Sequence, residues 1–260
     1  MNFFKKMIAE IQTQIECKDY AKKKDSVRQA MILMDLKFKK PVDESYVPHD
    51  DYQDHLQECK ASFVDYMQTS YTRDSVRILG IGDSILAQSK KDAQDVIDIR
   101  MNWALGGMRA CHMLQLLKDM DSDITRYNYQ PNFILVGTPG GNNLLQHQKI
   151  EVVKKECNIL FDYIRKRFPK ARIIMYGLPA TCVDYAMIHY VEYTQNLFNW
   201  LGQDKNTVII PLIKHFVAAW HVMMKADYSS DGVHLSPIGR LLFVDLIERS
   251  THKNCLPIIA

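Results

Sequence analysis

At 260 residues, 47% hydrophobic and 24% charged, the chain has the composition of a soluble folded protein and is long enough for one domain with an extension or two small domains. Its net charge of +3 is too weak a bias to argue for a nucleic-acid partner, whose binders carry a concentrated basic face. The N-terminus "MNFFKKMIAEIQTQIECK" lacks the apolar core of a signal peptide and no run of 18 apolar residues occurs, so the expectation is a cytoplasmic protein with no transmembrane segment.

The first part of the chain is divided by charge. Residues 1–40 carry ten Lys/Arg against five Asp/Glu, residues 41–74 carry two against eight, and no glycine occurs before Gly80. Phe4, Ile8, Ile11 and Ile15 recur at helical spacing, as do Tyr52, Leu56, Cys59, Phe63 and Tyr66, which predicts two amphipathic helices. Between them "KKPVDESYVPHDD" reads as a loop. Residues 1–74 are therefore expected to form a helical extension, a docking or packing arm, ahead of a second domain over residues 75–260. The basic run Lys22 to Lys24 reads first as a solvated helix face, with membrane-surface or partner binding as the alternative. The apolar stripe and the cluster from Met31 to Phe38 have to be buried somewhere. The arm is expected to dock at least partly outside its own domain, against a protein partner or a second copy through residues 1–70. Deleting those residues would then leave the remainder folded.

From Val76 onward short apolar strands alternate with longer helical stretches. Strands are expected at Val76–Ile81, Val96–Met101, Phe133–Val136, Arg172–Tyr176 and Val208–Ile210, and helices beginning near Gly107, Lys149, Tyr185 and Ser236. Five strands with helical crossovers predict a parallel sheet covered on both faces, with ligands at the carboxyl ends of the strands.

Polar clusters fall at those ends. "GDS" (Gly82 to Ser84) follows the first strand, "NWALGG" (Asn102 to Gly107) the second, and "GTPGGNN" (Gly137 to Asn143) the third; "DGVHLSPIG" (Asp231 to Gly239) precedes the last helix. Each alone reads as turn chemistry. Together, a serine, an Asp-x-x-His pair and two Gly- or Asn-bearing loops are the parts needed for acyl transfer: nucleophile, base, orienter and oxyanion donors.

On these residues the stretch 78–250 resembles the SGNH (GDSL-type) hydrolase superfamily. Gly82-Asp83-Ser84 is similar to its nucleophile block, Gly107 to its second-block glycine, Gly140 to Asn143 to its G-x-N-D block, and Asp231-Gly232-Val233-His234 to its D-x-x-H block. The resemblance implies an α/β fold, a three-layer α/β/α sandwich of flavodoxin-like type with a five-stranded parallel sheet. It implies Ser84 as nucleophile, His234 as base and Asp231 as orienter, with the oxyanion met by the backbone N–H groups of Ser84 and Gly107 and the side-chain amide of Asn142. No cofactor and no metal are implied. In two respects the chain departs from the family: Asn143 stands where the family usually has Asp, in a longer loop, and only 22 residues separate Ser84 from Gly107, which leads one to expect an open, shallow site.

The remaining candidates have plainer readings. No G-x-S-x-G surrounds Ser84 and no H-E-x-x-H occurs; His215 and His221, six apart, read as structural histidines. Six scattered cysteines (Cys17, Cys59, Cys111, Cys157, Cys182 and Cys255) with no C-x-x-C pair read as reduced thiols, and His112 beside Cys111 as a packed or surface residue. Trp103, Trp200 and Trp220 read as core rather than as sugar-flanking rings. The leading functional expectation is a serine esterase working through an acyl-enzyme on an acetylated sugar, a short acyl ester or a lysophospholipid. Two alternatives stand beside it: a hydrolase-fold interaction protein docking through its N-terminal helices, and an acyltransferase using the same residues.

Overall fold

The protein's structure, a computed structural model, is described for residues 50–69, 76–89, 99, 101–177, 193, 206–210, 212, 217–219, 222–223 and 233–251. Among the described residues the elements begin with helix α1 (Tyr52–Thr69), followed by β1 (Ile78–Ile81), α2 (Ser84–Gln88), β2 (Met101–Asn102), α3 (Ala110–Asp119), α4 (Asp121–Arg126) and β3 (Phe133–Gly137). Then come α5 (Gly141–Leu145), α6 (Ile150–Arg167), β4 (Arg172–Tyr176), β5 (Thr207–Ile210), the short pair β6 (Val217–Ala219) and β7 (Val222–Met223), and α7 (Pro237–Thr251).

Five strands form one sheet in the order β2-β1-β3-β4-β5, and every pairing is parallel. The strands are apolar on both faces, and their period of two sends alternate residues into two cores. Leu79, Ile81, Ile134, Val136, Ile173 and Met175 join one core with residues of α1, α3 and α6. Ile78, Leu135, Ile174, Tyr176 and Ile210 join the other with Ile85 and Leu86 of α2 and Phe243, Val244, Leu246 and Ile247 of α7. The result is the three-layer α/β/α sandwich expected from the sequence.

The strand boundaries agree closely except at the sheet edge. Among the described residues the ladder to β2 joins Met101 and Asn102 to Leu79 and Gly80; residues 96–98 and 100 of the expected strand lie outside the described residues. Beyond the ladder the chain keeps alongside β1, because Trp103 N–H donates to the Gly80 carbonyl (2.8 Å) and Leu105 N–H to the Gly82 carbonyl (3.2 Å). The antiparallel pair β6–β7 was not anticipated. The helix expected near Tyr185, and the arm over residues 1–49, lie outside the described residues.

Helix α1 packs against the sheet. Tyr52, Leu56, Cys59, Phe63 and Tyr66 are all buried in the same core as the sheet, at the 4-3-4-3 spacing that suits one helical face. The Phe63 ring meets those of Trp103, Tyr127 and Tyr129 edge-on at centroid distances of 5.9, 5.8 and 5.4 Å, and Tyr52 OH donates to Asp119 of α3 (2.6 Å). Residues 52–69 thus share a core with the sheet domain that follows them.

Candidate active site

Ser84 is the first residue of α2, separated from the end of β1 at Ile81 only by Gly82 and Asp83. Asp83 caps that helix: its extended backbone turns the chain and its carboxylate accepts the Ile85 N–H at 3.1 Å. The turn is possible because the ends of β1 and β3 touch. A side chain at Gly82 would lie 2.8 Å from the Gly137 Cα, and one at Gly137 would strike the Tyr176 ring. The two glycines therefore serve close approach rather than loop flexibility. Tyr176, at the end of β4, passes through the space that Gly137 leaves and donates its hydroxyl to Asp83 (3.2 Å). Both groups are fully buried. Burial pushes the Asp83 carboxyl up from its ordinary value, against the hydrogen bonds it accepts, and burial together with the Asp83 charge pushes the Tyr176 phenol well up.

The serine side chain itself is half-buried, and its Oγ lies 2.9 Å from Nε2 of His234. These two residues are 150 positions apart in sequence. They meet because β1 is a central strand and the segment leading into α7 returns to the same end of the sheet. A hydroxyl at that distance from an imidazole nitrogen can pass it a proton as it attacks. Asp231, expected to orient the ring, lies outside the described residues.

Two loops flank the pair. In the first, Asn102 bridges the start of the site: its amide donates to the Leu86 carbonyl of α2 (3.1 Å) while its oxygen accepts Ala104 N–H (3.0 Å). A side chain on Gly106 would stand 3.7 Å from the Ser84 Cβ, so this loop runs beside the serine. Gly107 has φ +80°, a left-handed conformation that favours glycine, and lets the chain turn into α3. His112, buried on α3, accepts the Arg109 backbone N–H at Nδ1 (3.2 Å), which makes it a helix-capping residue in agreement with its packed reading.

In the second loop Thr138 (φ 37°) and Gly140 (φ 80°) are both left-handed. The strained turn is held by Thr138 N–H on the Tyr176 carbonyl (3.1 Å), by Gly141 N–H on the Thr138 carbonyl (2.8 Å) and by the Tyr193 hydroxyl on the Pro139 carbonyl. Asn142 follows on α5, half-buried, and its amide reaches across to the Met108 carbonyl (2.9 Å). Asn143 is fully buried and accepts Ala110 N–H (3.2 Å), so two successive asparagines tie the second loop to the first. Asn143 raised a question of loop geometry in the sequence, and here its amide has a specific use: it donates to Glu156 (2.7 Å) and to Gln148, which a carboxylate could not do.

Ser84, His234, Gly107 and Asn142 thus come together at one end of the sheet. Trp103 is fully buried in the core, as expected, while His215, His221, Trp200 and Trp220 lie outside the described residues. Among the described residues, Cys59, Cys111 and Cys157 form no disulfide. Tyr176 and Glu156 were not picked out by the sequence reading. Tyr176 closes a strand at the ligand-bearing end, which was the one available signal; Glu156, mid-helix and thirteen residues from Asn143, gave none.

The chain matches no protein-family model and no curated protein. Solved structures do match. A protein of Bacteroides fragilis assigned to the acylhydrolases superimposes with a TM-score of 0.61 at 14% identity, over 79% of this chain and 97% of the other. A GDSL-like lipase of Bacteroides thetaiotaomicron superimposes with a TM-score of 0.59 at 12% identity, over 77% of this chain and 96% of the other. The parallel sheet, its covering helices and these superpositions together establish that the chain has the fold of the GDSL-type hydrolases.

Proposed function

We propose that the protein is a serine hydrolase of carboxylic esters, acting through an acyl-enzyme on Ser84. The observation that carries the reading is the 2.9 Å contact between Ser84 Oγ and His234 Nε2 at the carboxyl end of β1. His234 takes the serine proton as Oγ attacks the ester carbonyl, and returns it to the leaving alkoxide as the acyl-enzyme forms; water, deprotonated by the same ring, then attacks the acyl carbon, the acyl–Oγ bond breaks, and His234 returns the proton to Ser84 Oγ as the acid leaves. Asp231, three residues before His234, has the position in sequence to hold the imidazole tautomer. The tetrahedral oxyanion needs donors, for which the backbone N–H groups of Ser84 and Gly107 and the Asn142 amide are the candidates. Asn142 has two amide hydrogens, and the bond to Met108 uses one of them.

The open reading for substrate is a small or lipid-like ester. Transfer of the acyl group to a sugar hydroxyl shares the first half-reaction and is separated from hydrolysis only by the acceptor. The test is covalent labelling of the full-length protein by a fluorophosphonate ester. Wild type should be labelled on Ser84, and both Ser84→Ala and His234→Ala should lose labelling, with ester turnover falling by about 10⁴-fold or more. Labelling that persists in Ser84→Ala, or a folded wild type that is never labelled, overturns the proposal.

A further inference from the structure

Asn143 makes an unusual demand on its neighbours. A side-chain amide offers one acceptor and two donors in fixed positions, and this one, fully buried, uses all three: Oδ1 receives Ala110 N–H (3.2 Å), and Nδ2 donates to Glu156 Oε2 (2.7 Å) and to Gln148 Oε1. Amide and glutamine partners can each be turned over by half a rotation, so most such contacts do not say which end faces which. Glu156 removes that freedom, because an ionised carboxylate only accepts. It requires the NH₂ end of Asn143 to face α6 and thereby directs the oxygen to Ala110, the first residue of α3 and three residues after Gly107. The Cys111 thiol, next along α3, is pushed up to about 12 by burial and by the neighbouring Glu156 charge. Gln148 N–H closes the far side of the loop on the Asn143 carbonyl (2.9 Å). Asn142, the next residue back, carries its own amide to Met108 in the first loop.

We infer that Glu156 is a positioning residue for the site, setting the spacing of the Gly107 and Asn142 loops by fixing the orientation of the Asn143 amide. The inference rests on the acyl-transfer reading above for its catalytic consequence, and on the geometry alone for its structural one. Without the carboxylate the amide can turn over and present NH₂ to Ala110 N–H, donor against donor, so that the start of α3 loosens and the two oxyanion loops drift apart. An Asp at position 143 could accept Ala110 N–H equally well but would confront Glu156, carboxylate against carboxylate. The pair is complementary as Asn and Glu, and would be again as Asp and Gln.

That reciprocity supplies the experiment, on the full-length protein with p-nitrophenyl acetate and with amide hydrogen exchange at Ala110 and Met108. Glu156→Ala should lower kcat by about 10- to 100-fold with KM within about twofold, since loop misplacement weakens the transition state more than binding. Asn143→Asp should lose as much, and Asn143→Asp combined with Glu156→Gln should recover most of the loss. Exchange at Ala110 should quicken in both single variants and slow again in the double one. Unchanged kcat and exchange in Glu156→Ala, or a double variant no better than Asn143→Asp, overturns the inference. Should Glu156→Ala fail to fold, the rescue comparison decides alone. A wild type that neither hydrolyses ester nor takes the fluorophosphonate label sinks the esterase reading, while the exchange arm still decides whether Glu156 positions the loops.

Discussion

At the scale of single residues, the site is organised around side chains that are absent or buried. Gly82 and Gly137 stand where β1 and β3 touch, and Tyr176 occupies the room that Gly137 leaves in order to reach Asp83. The consequence for Asp83 is a carboxyl held in a fully buried place, with its proton retained to higher pH than in the unfolded chain. The sign follows from linkage: the native state binds the proton more tightly, so stability is lost as pH rises from the ordinary carboxylate range through the raised folded value. Asp83→Asn keeps an oxygen for Ile85 N–H and the Tyr176 hydroxyl without the cost of a buried charge. Thermal melts should therefore show the variant close to wild type at about pH 4 and more stable at about pH 8, the gap opening as Asp83 ionises. A variant less stable than wild type across that whole range would mean that the ionised form is the favoured one. Gly137→Ala is a separate matter, because its Cβ meets the Tyr176 ring, and overpacking of this kind costs roughly 1–3 kcal/mol in urea unfolding.

At the scale of elements, α1 is the informative case. Its apolar stripe was legible as a helix, and its partners were not. Phe63 lies edge-on to three aromatic rings, one of which is Trp103 in the loop beside the serine. His55 Nε2 also faces the Trp103 carbonyl at 3.1 Å. The helix thus braces the outer side of the first oxyanion-candidate loop, while the hydrogen bonds of Trp103 and Leu105 to β1 brace its inner side. Phe63→Ala removes a fully buried ring from this contact and should destabilise the fold by about 3–5 kcal/mol. A loss under about 1 kcal/mol in equilibrium unfolding would place α1 outside the cooperative unit.

For the whole molecule, the strand order β2-β1-β3-β4-β5 reverses direction of growth at the β1–β3 pair. Loops leaving those two strands diverge to opposite sides, and the crevice between them is where doubly wound sheets bind ligands. Ser84 leaves β1 there, the Gly137 to Asn143 loop leaves β3 there, and His234 is delivered to it by the segment ahead of α7. The division of the chain follows from the same packing. We propose that the folding unit begins near residue 50 rather than 75, and that any docking element lies within residues 1–49. A protein starting at Asp50 should melt cooperatively and keep fluorophosphonate labelling on Ser84, whereas one starting at Tyr71 should be unfolded or aggregated, having lost Tyr52, Leu56, Cys59, Phe63 and Tyr66 from the core. Gel filtration beside the full chain would show whether residues 1–49 carry self-association. A folded, labelled protein starting at Tyr71 would restore the boundary at 74.

Local chemistry repeated along the chain was readable without a structure. The apolar runs at β1, β3 and β4, the helical stripe of α1, and glycine- and asparagine-bearing turns at strand ends are properties of neighbouring residues, so periodicity and turn preference expose them. They were enough for a parallel sheet covered on both faces, while the roles of Ser84, Gly107, Asn142 and His234 were implied by the resemblance of the motif blocks to a known family. Contacts between distant segments carried no such mark. A phenol from β4 on Asp83, a carboxylate in mid-α6 on Asn143, and α1 against Trp103 depend on which faces the sheet brings together, and nothing local distinguishes Glu156 from a solvated helix residue. The Asn143 difference shows why: in sequence it is a missing charge, and only the fold reveals that Glu156 supplies a carboxylate from the neighbouring helix. Secondary structure is decided over a few residues, whereas the pairing of buried polar groups is decided by closure of the core, which brings partners distant in sequence within reach.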